Sequence, residues 1–214
     1  VAIVDETGTS IGEEAGLALC TRFVLSRANC TDRPVVINMS TSRMTEDVAL
    51  EAGYEVIRTP AGEVNVAEKM KDVSAIFGGE GNGGIIDPRI HCGRDSIVGI
   101  GLALEAMARS GHSMRKLAST LPQYHMVKTK IDCPPSKGRS LIRALRSVTD
   151  GAKVDTRDGL RLDWEDAWVQ LRASNTEPIL RIIAEARTEE RARELVEEYT
   201  AKLSSQQDVL QAVS

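Results

Sequence analysis

Aromatic side chains are scarce in this sequence, 3% of 214 residues. The core must therefore be aliphatic, and few rings are available to stack single-stranded bases. A basic excess is missing too: the formal net charge of -4 leaves no cationic stripe of the kind that phosphate backbones need. Together these shortages argue against a nucleic-acid partner. The four cysteines, Cys20, Cys30, Cys92 and Cys133, show no C-x-x-C spacing and no companion histidine pattern. Neither a zinc site nor a redox pair is expected, and the thiols read as reduced in a cytoplasmic protein. No apolar run approaches the roughly 18 residues of a membrane span, and the N-terminus has no charged segment followed by an apolar signal core. An initiator methionine is also lacking. The chain opens abruptly on Val1-Ala2-Ile3-Val4-Asp5, which suggests an excised fragment.

What is present is ordinary globular material, 42% hydrophobic and 27% charged, enough for one large core or two small ones. Up to about residue 120, β-branched runs alternate with amphipathic stretches, the pattern of strands joined by crossover helices. Strands are expected at Val1–Val4, Pro34–Asn38, Glu55–Arg58 and Ser74–Phe77. Helices are expected at Glu13–Arg27, Thr45–Glu51, Val64–Lys71 and Arg94–Arg109, the last stopped by a left-handed Gly111, with a short helix at Ser113–Ser119. Leu121-Pro122-Gln123-Tyr124 breaks the pattern and is taken as the boundary and a possible hinge, giving domains 1–122 and 123–214.

Beyond it the order changes to a strand at His125–Ile131, a helix from Ser136 to Val148, and strands at Ala152–Asp155, Leu160–Asp163, Ala167–Leu171 and Ile179–Ala184. A charged helix from Glu189 to Leu203 and a polar tail expected to fray complete the chain. Asp158-Gly159 is a hairpin signal. The fold class that follows is α/β: a three-layer α/β domain, then a small α+β domain with an antiparallel sheet and two helices.

Two loops carry chemistry. Gly78-Gly79-Glu80-Gly81-Asn82-Gly83-Gly84 puts five glycines in seven residues. The backbone can approach a ligand closely there, while Glu80 offers an acceptor and Asn82 an amide, a set suited to sugar hydroxyls. It matches neither G-x-G-x-x-G nor the P-loop pattern, and a plain flexible turn has the same composition. Arg172-Ala173-Ser174-Asn175-Thr176-Glu177-Pro178 sets a guanidinium, two hydroxyls and an amide within five residues, a cradle for a phosphate dianion, with Arg181 a possible second cation. Polar turns of this kind are also common as solvated loops. Thr59-Pro60-Ala61-Gly62-Glu63 leads into a helix and could present Glu63 to the same cleft as Glu80, although an ordinary turn and helix start accounts for the segment more simply. Arg94-Asp95 reads as a helix start, structural in role. His91 and His112 have no nucleophile or carboxylate spacing beside them and receive no catalytic role.

These loops, in this order, resemble the phosphohexomutases, the superfamily of phosphoglucomutase, phosphomannomutase and phosphoglucosamine mutase. Gly79-Glu80-Gly81-Asn82-Gly83 is similar to the family's G-E-x-[SN]-G sugar loop, Arg172 to Pro178 to its R-x-S-x-T-E-P phosphate loop, and Thr59 to Glu63 to a T-P-x-G-[DE] segment. The resemblance spans nearly the whole chain, as the family's third and fourth domains. It implies substrate binding by Glu80, Asn82, Arg172, Ser174, Asn175 and Thr176, with Arg181 and Glu63 as further members of the site. It implies as partners a phosphosugar and N-terminal domains of the same enzyme, which would hold the phosphoserine loop and magnesium; neither the Ser-His-Asn-Pro nor the Asp-x-Asp-x-Asp-Arg pattern occurs in this sequence. No catalytic residue and no metal ligand is therefore expected here. Several family members carry a histidine where this chain has Gly84, so one hydroxyl contact differs. The alternative is a stand-alone sugar-phosphate-binding or regulatory module.

Overall fold

A computed structural model of the protein describes residues 1–147, 151–174 and 177–212, with side chains described through Gln206. The chain divides into two compact units, Val1–Gln123 and Tyr124–Ser214. Among the described residues no helix is long and apolar enough to cross a membrane.

The first unit runs α1 (Glu13–Leu25), β1 (Val35–Asn38), α2 (Arg43–Glu51), β2 (Val56–Thr59), α3 (Glu63–Asp72), β3 (Phe77–Glu80), β4 (Gly84–Ile86), α4 (Ser96–Ser110) and α5 (Met114–Ala118). The sheet order is β2-β1-β3-β4, with β1 parallel to both neighbours and β4 antiparallel to β3. Every residue of β1 is buried, as a parallel strand covered on both faces requires. Alternation then sorts its side chains. Val35 and Ile37 pack with Leu17, Cys20 and Val24 of α1, Ala49 of α2 and Leu102 of α4, whereas Val36 packs with Val66 and Met70 of α3. Helices thus cover both faces, the expected three layers. β1 hands the chain to β2 on one side and β3 hands it to β4 on the other. The gap between the carboxyl ends of β1 and β3 is the topological switch point, where open α/β sheets take ligands.

Two expected strands differ. Val1–Val4 forms no strand; only Val4 bridges to Ser10. Asp5 Oδ1 accepts the backbone N–H of Thr7 at 2.8 Å and Thr9 at 3.0 Å, bending the chain back on itself before a strand can extend. Ser74–Phe77 is shifted to Phe77–Glu80, because Ser74 takes a left-handed φ of 52° and the N–H of Ala75 returns to Met70 O to close α3. The strand therefore runs into the glycine loop, which is a tight hairpin and not an open connection. An added Cβ on Gly79 would stand 2.2 Å from Gly84 O, so only glycine permits this approach.

In the second unit the order is β5 (His125–Asp132), α6 (Pro135–Ala144), a 3-10 turn (Leu145–Ser147), β6 (Lys153–Asp155), β7 (Leu160–Asp163), β8 (Ala167–Ala173), β9 (Ile179–Ala186) and α7 (Glu189–Ala212). All pairings in the sheet β5-β9-β8-β7-β6 are antiparallel. Leu141 and Leu145 from the α6 segment and Leu195, Tyr199 and Leu203 of α7 cover one face, over Leu162, Val169, Leu171, Leu180 and Ile182. The opposite face buries a polar set. The Arg161 guanidinium lies 4.0 Å over the Trp168 ring and pairs with Asp163, while Trp168 Nε1 donates to Glu185 Oε1 at 2.7 Å. α6 ends at Ala144, short of the expected Val148, which lies outside the described residues. α7 runs on to Ala212 in place of a frayed tail: the segment after Ser204 holds no glycine or proline, and polarity alone does not end a helix.

Candidate functional site

The carboxyl end of the first unit's sheet gathers polar groups from the segments that follow β1, β2 and β3 and from the one that precedes α4. Glu80, the last residue of β3, is 4% exposed. Its Oε1 accepts Asn38 Nδ2 at 2.7 Å, from the end of β1, and the N–H of Gly62 at 2.9 Å, from the turn before α3. Asn38 Oδ1 in turn accepts Thr41 Oγ1 at 2.9 Å, and Thr41 Oγ1 accepts the N–H of Gly81 at 3.0 Å. This chain of bonds fixes the hairpin turn that carries Asn82. Gly81 itself lies against a carboxylate: an added Cβ would be 2.0 Å from Glu14 Oε2, an atom that also accepts the Ser42 N–H.

Glu63 opens α3 and faces Arg94, accepting its backbone N–H at 2.9 Å and its Nε at 2.8 Å. Those two bonds hold the Glu63 carboxyl below its ordinary range. Arg94 Nη1 stands 3.5 Å from Glu80 Oε2, so one guanidinium spans both carboxylates. Asn82 is exposed at the tip, and its amide can both donate and accept. The structure thus brings together Glu80, Asn82 and Glu63, all named from sequence, and adds Asn38, Thr41 and Arg94. Arg58 is a support for the same region: it donates to the carbonyls of Asn38 and Thr41 and pairs with Glu46.

In the second unit Arg172 lies inside β8, not in a loop. It faces Arg181 of β9, which faces Lys130 of β5. Directly opposed residues share a face of the sheet, so three cations stand in one row, an arrangement that is unfavourable until an anion offsets it. Arg181 pairs with Glu177 at 2.9 Å, while the acidic partner of Arg172, Asp158, stands 3.8 Å off. Ser174 is buried, its Oγ accepting the N–H of Glu177 at 3.2 Å. Asn175 and Thr176 lie outside the described residues. Lys130 was invisible from sequence because its place beside Arg181 depends on strand register.

Residues 13–124 match the model for phosphoglucomutase/phosphomannomutase, alpha/beta/alpha domain III, and residues 127–202 match that for the phosphoglucomutase/phosphomannomutase C-terminal domain. The chain belongs to the phosphoglucomutase/phosphomannomutase family. Over 203 residues this mutase-family chain is 35% identical to a probable phosphoglucosamine mutase of Methanopyrus kandleri, covering 93% of the chain and 44% of that protein. It is 36% identical over 196 residues to a phosphoglucomutase/phosphomannomutase of Thermococcus kodakarensis, covering 91% and 42%. Among solved structures, a phosphoglucomutase/phosphomannomutase family protein of Burkholderia thailandensis superposes with a TM-score of 0.81 at 25% identity, over 95% of this chain and 44% of that one. The chain therefore spans less than half the length of these relatives. Among the described residues no group of three or more His, Cys, Asp or Glu side chains is arranged to hold a metal ion.

Proposed function

We propose that this chain is the substrate-gripping half of a phosphosugar mutase that interconverts a hexose or hexosamine 1-phosphate and 6-phosphate through a phosphoserine enzyme and a bisphosphate intermediate. The observation that carries this reading is the position of the Glu80–Asn82 turn: it sits at the switch point of a parallel sheet, prearranged by Asn38, Thr41 and Gly62. A site already bonded into shape does not have to be ordered when the sugar arrives. In the second unit Arg172, Arg181 and Lys130 would hold the phosphate that is not reacting, with Ser174, Asn175 and Thr176 completing the cradle. A bisphosphate must bind in two orientations, so the residues that grip it cannot favour one phosphate ester over the other. Acceptors and amides on the sugar, and cations on whichever phosphate is distal, meet that demand.

Phosphoserine chemistry and magnesium would be supplied by N-terminal domains of the enzyme. The purified 214-residue chain should therefore show phosphosugar binding without turnover. Titration with glucose 6-phosphate or glucosamine 6-phosphate, followed by amide chemical shifts, should move the signals of Gly81 to Gly84 and of Arg172 to Ser174. Conversion of a 1-phosphosugar to the 6-phosphosugar by the chain alone, free of contaminating enzyme, would remove the assignment of a gripping half. Absence of any shift at both segments would remove the substrate class.

A further inference from the structure

We propose that Arg94 is a substrate-contacting residue of the sugar subsite, donating to the hydroxyls that Glu80 accepts from; this rests on the reading of the Glu80 turn as a sugar site. Sequence alone gives Arg94 only a place beside Asp95, the N-cap of α4, whose Oδ1 accepts the N–H groups of Ile97 and Val98. The structure gives it a second place. Its aliphatic stem lies on Gly84: a Cβ at Gly84 would be 2.3 Å from Arg94 Cδ and 3.1 Å from its Cγ. The same point is 3.2 Å from Asn82 Oδ1, so the arginine stem and the exposed amide of the turn border one small volume. Any side chain at position 84 would take that volume, and glycine leaves it to the arginine.

The guanidinium is aimed, not free to wander. Nε donates to Glu63 Oε2 at 2.8 Å, and Nη1 is drawn to within 3.5 Å of Glu80 Oε2. These two anchors fix the plane of the fork, while Nη2 has no acceptor among the described residues and the side chain remains 41% exposed. Five N–H groups on a rigid plane, one committed, leave donors for a ligand. Glu80 shows the complementary surplus: Oε1 already takes two N–H donors, and among the described residues Oε2 has only the distant Nη1. A hydroxyl both donates and accepts. One placed between Glu80 Oε2 and the Arg94 fork would satisfy both, and a neighbouring hydroxyl could use Asn82. Vicinal hydroxyls of a pyranose have that dual character and are neutral, whereas inorganic phosphate would bring its negative charge against the Glu80 carboxylate.

Two substitutions approach the guanidinium from opposite sides. Arg94→Lys keeps a positive charge near the carboxylates but loses the fork, and Gly84→Ala evicts the stem while leaving the arginine in the sequence. Each should weaken glucose 6-phosphate binding to the chain roughly tenfold, read from the Gly81 and Asn82 amide shifts. The Arg94 Nε–H resonance of the unsubstituted protein should move with the sugar phosphate and not with inorganic phosphate. The amide shifts of β1 and β2 and the far-UV melting transition of the first unit should be the same in all three proteins, which shows that the unit carrying both substitutions remains folded. Affinity in either variant within twofold of the unsubstituted protein, with the turn amides still responding, would overturn the proposal and leave the sugar site standing with Arg94 as a mere buttress. Turn amides silent to the sugar phosphate in the unsubstituted protein would overturn the sugar site and Arg94's part in it together.

Discussion

The polar groups at the strand ends of the first unit are carboxylates, amides and a hydroxyl tied to one another, Glu80 Oε1 alone taking donors at 2.7 and 2.9 Å. Those on the sheet face of the second are cations in a row, and Arg172 has its acidic partner 3.8 Å away. The first arrangement is balanced before any ligand arrives, so its work is to hold shape. The second sets three cations side by side with one close carboxylate, Glu177 on Arg181, and one distant, Asp158 near Arg172, so it is suited to attract and hold an anion. Changes that break the bonded hairpin of the first should therefore appear as stability, changes to the groups it leaves open, Asn82 and Arg94, as sugar binding, and changes to the second as phosphate binding.

The largest expected effect breaks the first side. Gly79→Ala would set a Cβ 2.2 Å from Gly84 O and 2.8 Å from Leu17 Cδ1, a clash with backbone that no rotamer relieves. A loss of about 3 kcal/mol or more is expected in the first unit. Both tryptophans, Trp164 and Trp168, belong to the second unit. Far-UV circular dichroism should then show an early transition that tryptophan fluorescence does not. Coincident transitions would mean that the units unfold as one and that the comparison fails at the level of stability.

On the second side, Arg172→Ala in a full-length mutase carrying this chain should remove on the order of 2 to 4 kcal/mol of phosphate binding, with Arg172→Lys recovering part of it. The thermal midpoint should barely change, since the side chain is 30% exposed and its ion pair is long. A lowered midpoint with kcat/KM within about threefold would reverse the assignment and make Arg172 a packing residue.

How far the sequence foretold this contrast differs between the units. Glu80, Asn82 and Glu63 were legible because glycine spacing and a helix start mark them locally, and the α/β and α+β order was legible from the change of period. Asn38, Thr41, Arg94 and Lys130 were not. Asn38 and Thr41 are brought to the site by a parallel strand order that no local pattern encodes, Arg94 by the antiparallel β4 that leads into α4, and Lys130 by cross-strand register. The glycine run suggests a loop because glycine is a poor strand former; here it forms strands since the β3–β4 hairpin has no room for a Cβ. Val1–Val4 failed for the opposite reason: its residues suit a strand, but Asp5 turns the chain first.

A smaller effect sharpens the comparison by finding a balanced polar network in the second unit as well. Trp168 is fully buried between the Arg161 guanidinium and Glu185. Trp168→Phe removes the Nε1–H that Glu185 Oε1 accepts and the larger ring beneath the cation, and should cost about 1 to 3 kcal/mol in denaturant unfolding followed by Trp164 fluorescence. The phosphate affinity of the Arg172 row should be unaffected. If that affinity fell too, the two halves of this sheet face would be one coupled network, and stability and binding could not be assigned to separate rows.

The smallest effect concerns pH. Glu63 is held below the ordinary 4.5 by its bonds to the backbone N–H and side chain of Arg94. A carboxyl with a depressed folded-state pKa adds stability that is present above the unfolded value and lost as pH falls through the folded one. Glu63 and Arg94 are 37% and 41% exposed, so screening by water limits the gain to no more than about 0.5 kcal/mol. Unsubstituted protein and Glu63→Gln should therefore differ slightly in midpoint at pH 7 and low salt, and the difference should shrink below pH 4.5 and with added salt. A difference that stays constant down to pH 3 would mean that charge plays no part in the Glu63–Arg94 contact. The guanidinium would then lack one of the two anchors that aim it at the sugar turn, and the balanced character assigned to the first unit would rest on the Glu80 bonds alone.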